Sequence, residues 1–353
     1  MKKTLLFVFI PLLSFTQVPL DYYLTAENTR DDILKFELNQ IIDDHTEFYY
    51  TSSGTDVWDI LKETDKDPNN TNNVILIYSG ISVNAAQEYN SGAGWTREHV
   101  WAKSKGDFGT ALGPGTDVHH LRPLDNSMNS TRNNRGFDNC ITCIDVYDQW
   151  SNPTGSKKDA NNWSFEPRAN VKGDVARMLF YMAVRYEGYD GYPDLELSET
   201  IQDQSGKLPF HGVLSTLLEW HRNDPIDSWE ENRNDIIYYS YQNNRNPFID
   251  YPELAEHLWG NMKGIDWQKS LGVDAFSEVE IKFYPNPTSL GYVNISSKNS
   301  SRMNVTVFDI LGKQVINTTV SNNRLNVSNL NAGIYIMKIT QGKAISTKKL
   351  VIN

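Results

Sequence analysis

The chain has 353 residues, 39% hydrophobic and 12% aromatic. That is enough for a sizeable core and excludes a disordered polypeptide, and the length suggests two domains or one with an appendage. The net charge of −11 is unevenly spread: residues 281–353 carry nine Lys/Arg against one Asp, and 97–177 carry eleven basic against ten acidic side chains. A nearly neutral island in an acidic body permits a nucleic-acid partner without arguing for one, because binding follows the local field more than the total.

In chain order, Lys2 and Lys3 precede a short apolar run over 5–13, and Ser14 and Thr16 follow as small residues. This reads as a cleaved export leader over 1–16; nothing later approaches the roughly 20 apolar residues of a membrane span. Ile33, Leu34, Leu38, Ile41 and Ile42 recur at helical spacing, which predicts a helix over 22–42. The polar stretch 65–70 lacks the Gly and the closing Glu of a calcium loop and reads as a solvated turn. Residues 74–78 read as a buried strand. The segment 92–139 is rich in Gly and Asn and poor in periodicity, the pattern of loops held by a scaffold. Cys140 and Cys143 suit a local disulfide in an exported protein, with a free thiol pair as the alternative.

Helices are expected over 172–186 and near 214–220, with further helices around Trp220, Trp229 and Trp259. At Tyr284-Pro285-Asn286-Pro287 the pattern changes to short strands, expected over 292–295, 303–308, 334–339 and 348–352. The division expected is a leader over 1–16, a main domain over 17–270, a linker over 271–282 and a small all-β sandwich over 283–353.

Chemistry concentrates in about 40 residues, which hold three of the seven histidines. The segments are Trp95-Thr96-Arg97-Glu98-His99-Val100-Trp101, Asp117-Val118-His119-His120-Leu121-Arg122-Pro123 and Asn129-Ser130-Thr131-Arg132-Asn133-Asn134-Arg135. Phosphodiester hydrolysis needs a base near neutral pH, hard oxygen ligands for a divalent cation, and a guanidinium for the phosphate. Glu98, His99, Asn129 and Arg132 make up that set. If 129–135 is helical, Asn129, Arg132 and Asn133 share a face. In a regular strand Glu98 and His99 would point to opposite faces, so either the chain bends there or one of them works off-centre. Neither the H-E-x-x-H of zincin peptidases nor a G-x-S-x-G nucleophile motif occurs.

At these residues the sequence resembles the bacterial endonuclease I family, nucleases with a ββα-metal finger. The resemblance also runs through Lys172-Gly173-Asp174-Val175-Ala176-Arg177, Asp227-Ser228-Trp229-Glu230 and Asn244-Arg245-Asn246-Pro247-Phe248, and spans roughly residues 20–260. It implies an α+β chain: a mainly helical nuclease domain with a ββα-metal finger, then the all-β module. It implies His99 as general base, Glu98 and Asn129 as ligands of Mg²⁺ (or another divalent ion such as Mn²⁺ or Ca²⁺), and Arg132 on the phosphate. Arg97, Asp117, His119, His120, Arg122, Asn133 and Arg135 would bind substrate or support the site, with the facing member of His119 and His120 left open. The activity implied is cleavage of DNA, with RNA as a second substrate, to 5′-phosphate ends with little sequence preference. A non-enzymatic secreted binding protein on the same scaffold is the alternative. The C-terminal segments Asp309-Ile310-Leu311-Gly312-Lys313 and Leu330-Asn331-Ala332-Gly333-Ile334-Tyr335 resemble the sorting domain of type IX secretion. That implies an enzyme handed to that machinery and released outside the cell, and a monomer is expected.

Overall fold

The structure is a computed structural model and describes residues 18–269, 282–296, 303–310, 312–320, 323–341 and 344–353. The leader expected over 1–16 and the linker up to residue 281 lie outside the described residues. The chain divides into two compact units, Met1–Gln268 and Lys269–Asn353.

In the first unit, the helix expected over 22–42 is shorter. A 3₁₀ turn at Leu24–Ala26 precedes α1 (Asp31–Ile42), whose first turn carries Asp31 and Asp32, the charge that a helix N-terminus favours. Leu34, Leu38 and Ile42 face the core, while Ile33 is 63% exposed. Helix α2 (Val57–Thr64) starts at a capping box of Asp56 and Asp59. The region read as a solvated turn is instead a hairpin of β1 (Lys66–Asp67) and β2 (Asn70–Ile75), extended by β3 (Ser82–Asn84). Asp65 is fully buried there and pairs with Arg122 at 2.5 Å and Arg233 at 3.4 Å. The strand expected over 74–78 ends at Ile75, because the chain turns where Ile77 N–H donates to the Pro123 carbonyl.

Next come β4 (Trp95–His99), β5 (Leu121–Asp125) and α3 (Asn126–Arg132). Strands β6 (Gly136–Phe137), β7 (Cys143–Tyr147), β8 (Pro153–Asp159) and β9 (Ser164–Glu166) form a sheet in the order β6-β9-β8-β7. Cys140 and Cys143 are joined as a disulfide at its margin. Helix α4 (Lys172–Arg185) is buried on every side except at Lys172. A helix buried all round must pair its charges, and Arg177 does so with both oxygens of Glu230 at 2.6 Å. Two short parallel strands, β10 (Glu196–Ser198) and β11 (Phe210–Val213), lead into α5 (Leu214–Asn223) and α6 (Ser228–Ile236). A π-helical stretch, Ile237–Gln242, then leads to α7 (Pro247–Asp250) and α8 (Leu254–Trp259). Among the described residues no helix is long and apolar enough to cross a membrane.

The second unit is all-β. One sheet pairs β12 (Lys282–Tyr284), β13 (Tyr292–Ser296) and β16 (Arg324–Asn326). The other runs β15-β14-β17-β18, from β14 (Met303–Asp309), β15 (Gln314–Val320), β17 (Gly333–Gln341) and β18 (Ala344–Ile352). Alternate residues of both sheets, among them Val293, Ile295, Val305, Val307, Met337 and Ile339, fill a single core, which makes a sandwich. The chain is α+β, with the mixed unit of helices and short sheets first and the sandwich after it.

Candidate active site

Strands β4 and β5 pair without a register shift, from Trp95 opposite Asp125 to His99 opposite Leu121, and form a sheet of two strands only. Helix α3 follows at once, started by the Asp125 carboxylate accepting from Met128 N–H at 2.9 Å. Thr96, Arg97, Glu98 and His99 all line one cavity of about 560 Å³. Side chains of a strand alternate between faces, so four consecutive residues can line one cavity only where it opens onto the strand's edge. The edge of β4 away from β5 is bridged only at Trp95, by Glu88, among the described residues. Glu98 and His99 therefore share a cavity without a bend in the strand. Asn129, Arg132 and Asn133 at the end of α3 line the same space.

Glu98 is 1% exposed. Its Oε1 accepts from the Tyr78 hydroxyl at 2.9 Å and pairs with Arg132 Nε at 3.1 Å. Burial pushes its pKa up, while Arg132 and the Tyr78 hydrogen bond pull it back. Oε2 makes no hydrogen bond among the described residues, and neither does the Asn129 side-chain amide.

His99 Nε2 lies 3.0 Å from the Gly115 carbonyl oxygen. A carbonyl only accepts, so Nε2 carries the proton and Nδ1 keeps its lone pair. Nδ1 has no partner among the described residues. Burial, then the neighbouring His120 and the charges of Lys103 and Arg97, hold the His99 pKa well below its usual value, so the ring is neutral near pH 7. Tyr50 stacks on the imidazole at 5.5 Å and 23°, and Arg97 lies 3.4 Å over the other partner, the Tyr50 ring. A Cβ on Gly115 would sit 2.5 Å from the Ala111 carbonyl oxygen, so only glycine lets this loop present its carbonyl to His99.

The remaining residues singled out in the sequence fall into two groups. Arg97 lines the cavity; Nη1 donates to Tyr50 O and Thr51 Oγ1, and Nη2 has no partner among the described residues. Arg132, expected on the phosphate, lines the cavity; its Nη2 donates to Val100 O and lies 2.9 Å from His211 Nε2, its Nη1 donates to Asn133 O at 2.9 Å, and its Nε pairs with Glu98 by charge, without a hydrogen bond among the described residues. Asn133 is not on the helical face expected of it, because α3 ends at Arg132 and Asn133 has φ +53°. Arg135 lines an adjoining recess, not the main cavity.

Asp117, His119, His120 and Arg122 do not line the cavity. Asp117 accepts from the Tyr181 and Tyr186 hydroxyls and from Gln242. Arg122 is buried against Asp65 and 3.6 Å from Asp174. His120 is the histidine beside the site, its ring 5.6 Å from that of His99, with Nε2 donating to Pro114 O at 2.8 Å. His119 turns away, toward Asn244 and the Tyr181 ring.

Comparison with known proteins bears on the family. Residues 31–253 match the family model described as Endonuclease I. The chain belongs to the Endonuclease I family. Two proteins named extracellular ribonuclease align with it over 238 residues, 67% of this chain and 78% of theirs. The one from Bacillus subtilis (strain 168) is 53% identical and the one from Bacillus amyloliquefaciens 52%. Residues 282–353 match the secretion system C-terminal sorting domain, the type IX tail expected from the sequence. A solved structure of PorZ, a surface component of the type IX secretion system of Porphyromonas gingivalis, aligns over 24% of this chain and 12% of its own. Its identity is 14% and its TM-score 0.19, too low to bear on the fold. This Endonuclease I member is thus a secreted nuclease carrying a sorting tail.

Sequence reasoning missed Tyr50, Tyr78 and His211 in the Endonuclease I site. A buried carboxylate such as Glu98 demands donors, but nothing in the local pattern names Tyr78, 20 residues away, or His211, 79 residues from the Arg132 it meets.

Proposed function

We infer that the cavity is the centre of a divalent-metal-dependent phosphodiesterase that cuts RNA and DNA with little regard to sequence. The observation that carries this reading is a neutral imidazole with a free Nδ1 in the same cavity as two side chains that each keep an unengaged hard oxygen, Glu98 through Oε2 and Asn129 through its amide oxygen. These donors suit Mg²⁺, Mn²⁺ or Ca²⁺, and a bound ion would neutralise charge on the phosphate and the departing oxygen. Nδ1 of His99 takes a proton from water, whose oxygen attacks phosphorus as the bond to O3′ breaks, leaving a 5′-phosphate.

Gly115 O and Tyr50 fix the ring. Arg132 acts through Glu98, with which it forms a buried ion pair. Arg97 Nη2 and Lys103, which makes no ion pair among the described residues, are better placed for the phosphate. Attack by water needs no 2′-hydroxyl, so the chemistry does not distinguish RNA from DNA. The name of the Bacillus relatives supports RNA as a substrate. We also read 1–16 as a removed leader, 17–270 as the nuclease, 271–282 as a linker and 283–353 as the sorting domain, in a monomer.

The test is digestion of RNA, single-stranded DNA and plasmid across a panel of metals, with end-group analysis. The expected result is 5′-phosphate ends on all three, loss of activity in EDTA and loss in His99→Ala. A 2′,3′-cyclic phosphate beside a 5′-hydroxyl on the RNA products would mean attack by the 2′-oxygen and would overturn the water mechanism.

A further inference from the structure

Beside the cleft lies a second recess of about 310 Å³, walled by Arg135, Asn161, Asn162, Trp163, Gln202 and Asp203. Two pairs of adjacent residues separate it from the cleft. Asn134 and Gln204 face the cleft, while Arg135 and Asp203 face the recess. Asn134 ties the two together: its Oδ1 accepts from the Trp163 indole at 2.7 Å, and its Nδ2 donates to Ser104 Oγ and Gln204 O. A strand of nucleic acid leaving the cleft on this side meets the recess next.

We propose that this recess is a subsite for one unpaired nucleobase, adjacent to the nucleotide being cut, which stacks on the Arg135 and Trp163 pair. The Arg135 guanidinium lies 3.5 Å over the Trp163 ring, and both groups are half-buried and present surface to the recess. Apart from Nε donating to Thr131 O, the guanidinium makes no hydrogen bond and no ion pair among the described residues. Flat cationic and aromatic surfaces are what unpaired bases stack on.

A phosphate is the poorer occupant. Asp159 and Asp203 also line the recess, and hydrogen bonds from Thr142 and from Ser205 respectively hold both carboxylates below their usual pKa, so two negative charges face one positive. A base inside a duplex cannot offer its face to a walled recess, so the subsite selects single strands and loops over stems. The inference rests on the assignment of the neighbouring cleft to phosphodiester cleavage.

The test is equilibrium binding of labelled hexanucleotides by fluorescence anisotropy in EDTA, which needs no turnover and so fails or succeeds independently of the cleavage mechanism. One oligonucleotide carries all its bases; the other has the same backbone with every base removed. For the wild-type chain the based oligonucleotide should bind tighter. Trp163→Ala should shrink that preference by roughly 5- to 100-fold, the span of one base–aromatic stack. Trp163→Phe should keep most of it. Arg135→Lys, which keeps the charge and loses the plane, should shrink it too. Unchanged melting of each variant guards against a folding defect. If Trp163→Ala and Arg135→Lys keep the wild-type preference, the subsite does not exist. If they weaken both oligonucleotides equally, Arg135 is a backbone contact and the proposal falls.

Discussion

Tyr78→Phe removes one oxygen atom from a buried ring and tests how Glu98 is held. The hydroxyl donates to Glu98 Oε1 at 2.9 Å, and the only other partner of that carboxylate among the described residues is Arg132, on the same oxygen. A hydrogen bond to a charged group contributes about 1.5–3 kcal/mol. Its loss leaves Oε1 half-satisfied and lets the carboxylate swing or protonate, so Oε2 is no longer presented to the cavity. Groups that orient metal ligands usually matter by about 10- to 100-fold in metal affinity, in line with that energy. The expected result is a half-saturating Mg²⁺ concentration raised by roughly 10- to 100-fold, with kcat at saturating metal within a few-fold of wild type. The assay is RNA cleavage at fixed pH and ionic strength over a range of Mg²⁺, with melting followed in parallel. A variant with unchanged metal dependence would refute the role of Tyr78. One that loses kcat at every metal concentration would show that the hydroxyl serves the reaction and not the ligand.

His99→Ala should lower kcat by roughly 100- to 10,000-fold, the usual contribution of a positioned base, while the melting temperature stays close to wild type. Arg132→Met should lower stability by about 3–5 kcal/mol, because Glu98 is then a buried carboxylate without a cation. Calorimetry checks this, and a variant that melts normally but binds nucleic acid weakly would make Arg132 a phosphate contact after all. His119 and His120 have pKa values pushed down to about 4 by burial, so below about pH 6.5 the unfolded chain takes up protons that the folded chain refuses. Stability is therefore fully present above that pH and is lost as pH falls toward 4, by at most about 3 kcal/mol per histidine; denaturant titrations at pH 7, 5.5 and 4.5 should trace the loss.

The ββα unit was legible only through the family resemblance: by pattern alone 92–139 reads as loops, because β4 and β5 are buried on both faces and show no alternation. The sandwich was legible where strands alternate, as in β13 and β14. It was not at β15, where nearly every residue from Gln314 to Thr319 faces solvent and no period shows. The features that local pattern did not show share one cause. Asp65 sits in a stretch whose composition is that of a solvated turn, and only the distant Arg122 and Arg233 make its burial possible. Arg132 has the right chemistry for a phosphate and for a carboxylate. Composition could not tell that its Nη groups would meet Val100 O, Asn133 O and His211. Pairings across 50 to 170 residues are set by packing, which local pattern does not encode.

The adjacency of Glu98 and His99 looked like an obstacle, since a strand sends neighbours to opposite faces. It is better understood as a consequence of stopping the sheet at two strands. A third strand on β4 would cover the edge where the cavity lies, and the two side chains would be divided between separate faces. Instead, the chain after His99 makes the loop whose Pro114 and Gly115 carbonyls hold His120 and His99, on one side of the edge. Tyr78 and Arg132 hold Glu98 on the other. Each member of the dipeptide thus has its own support, drawn from different parts of the chain, and in the proposed function the open edge between them is where a phosphate would reach both.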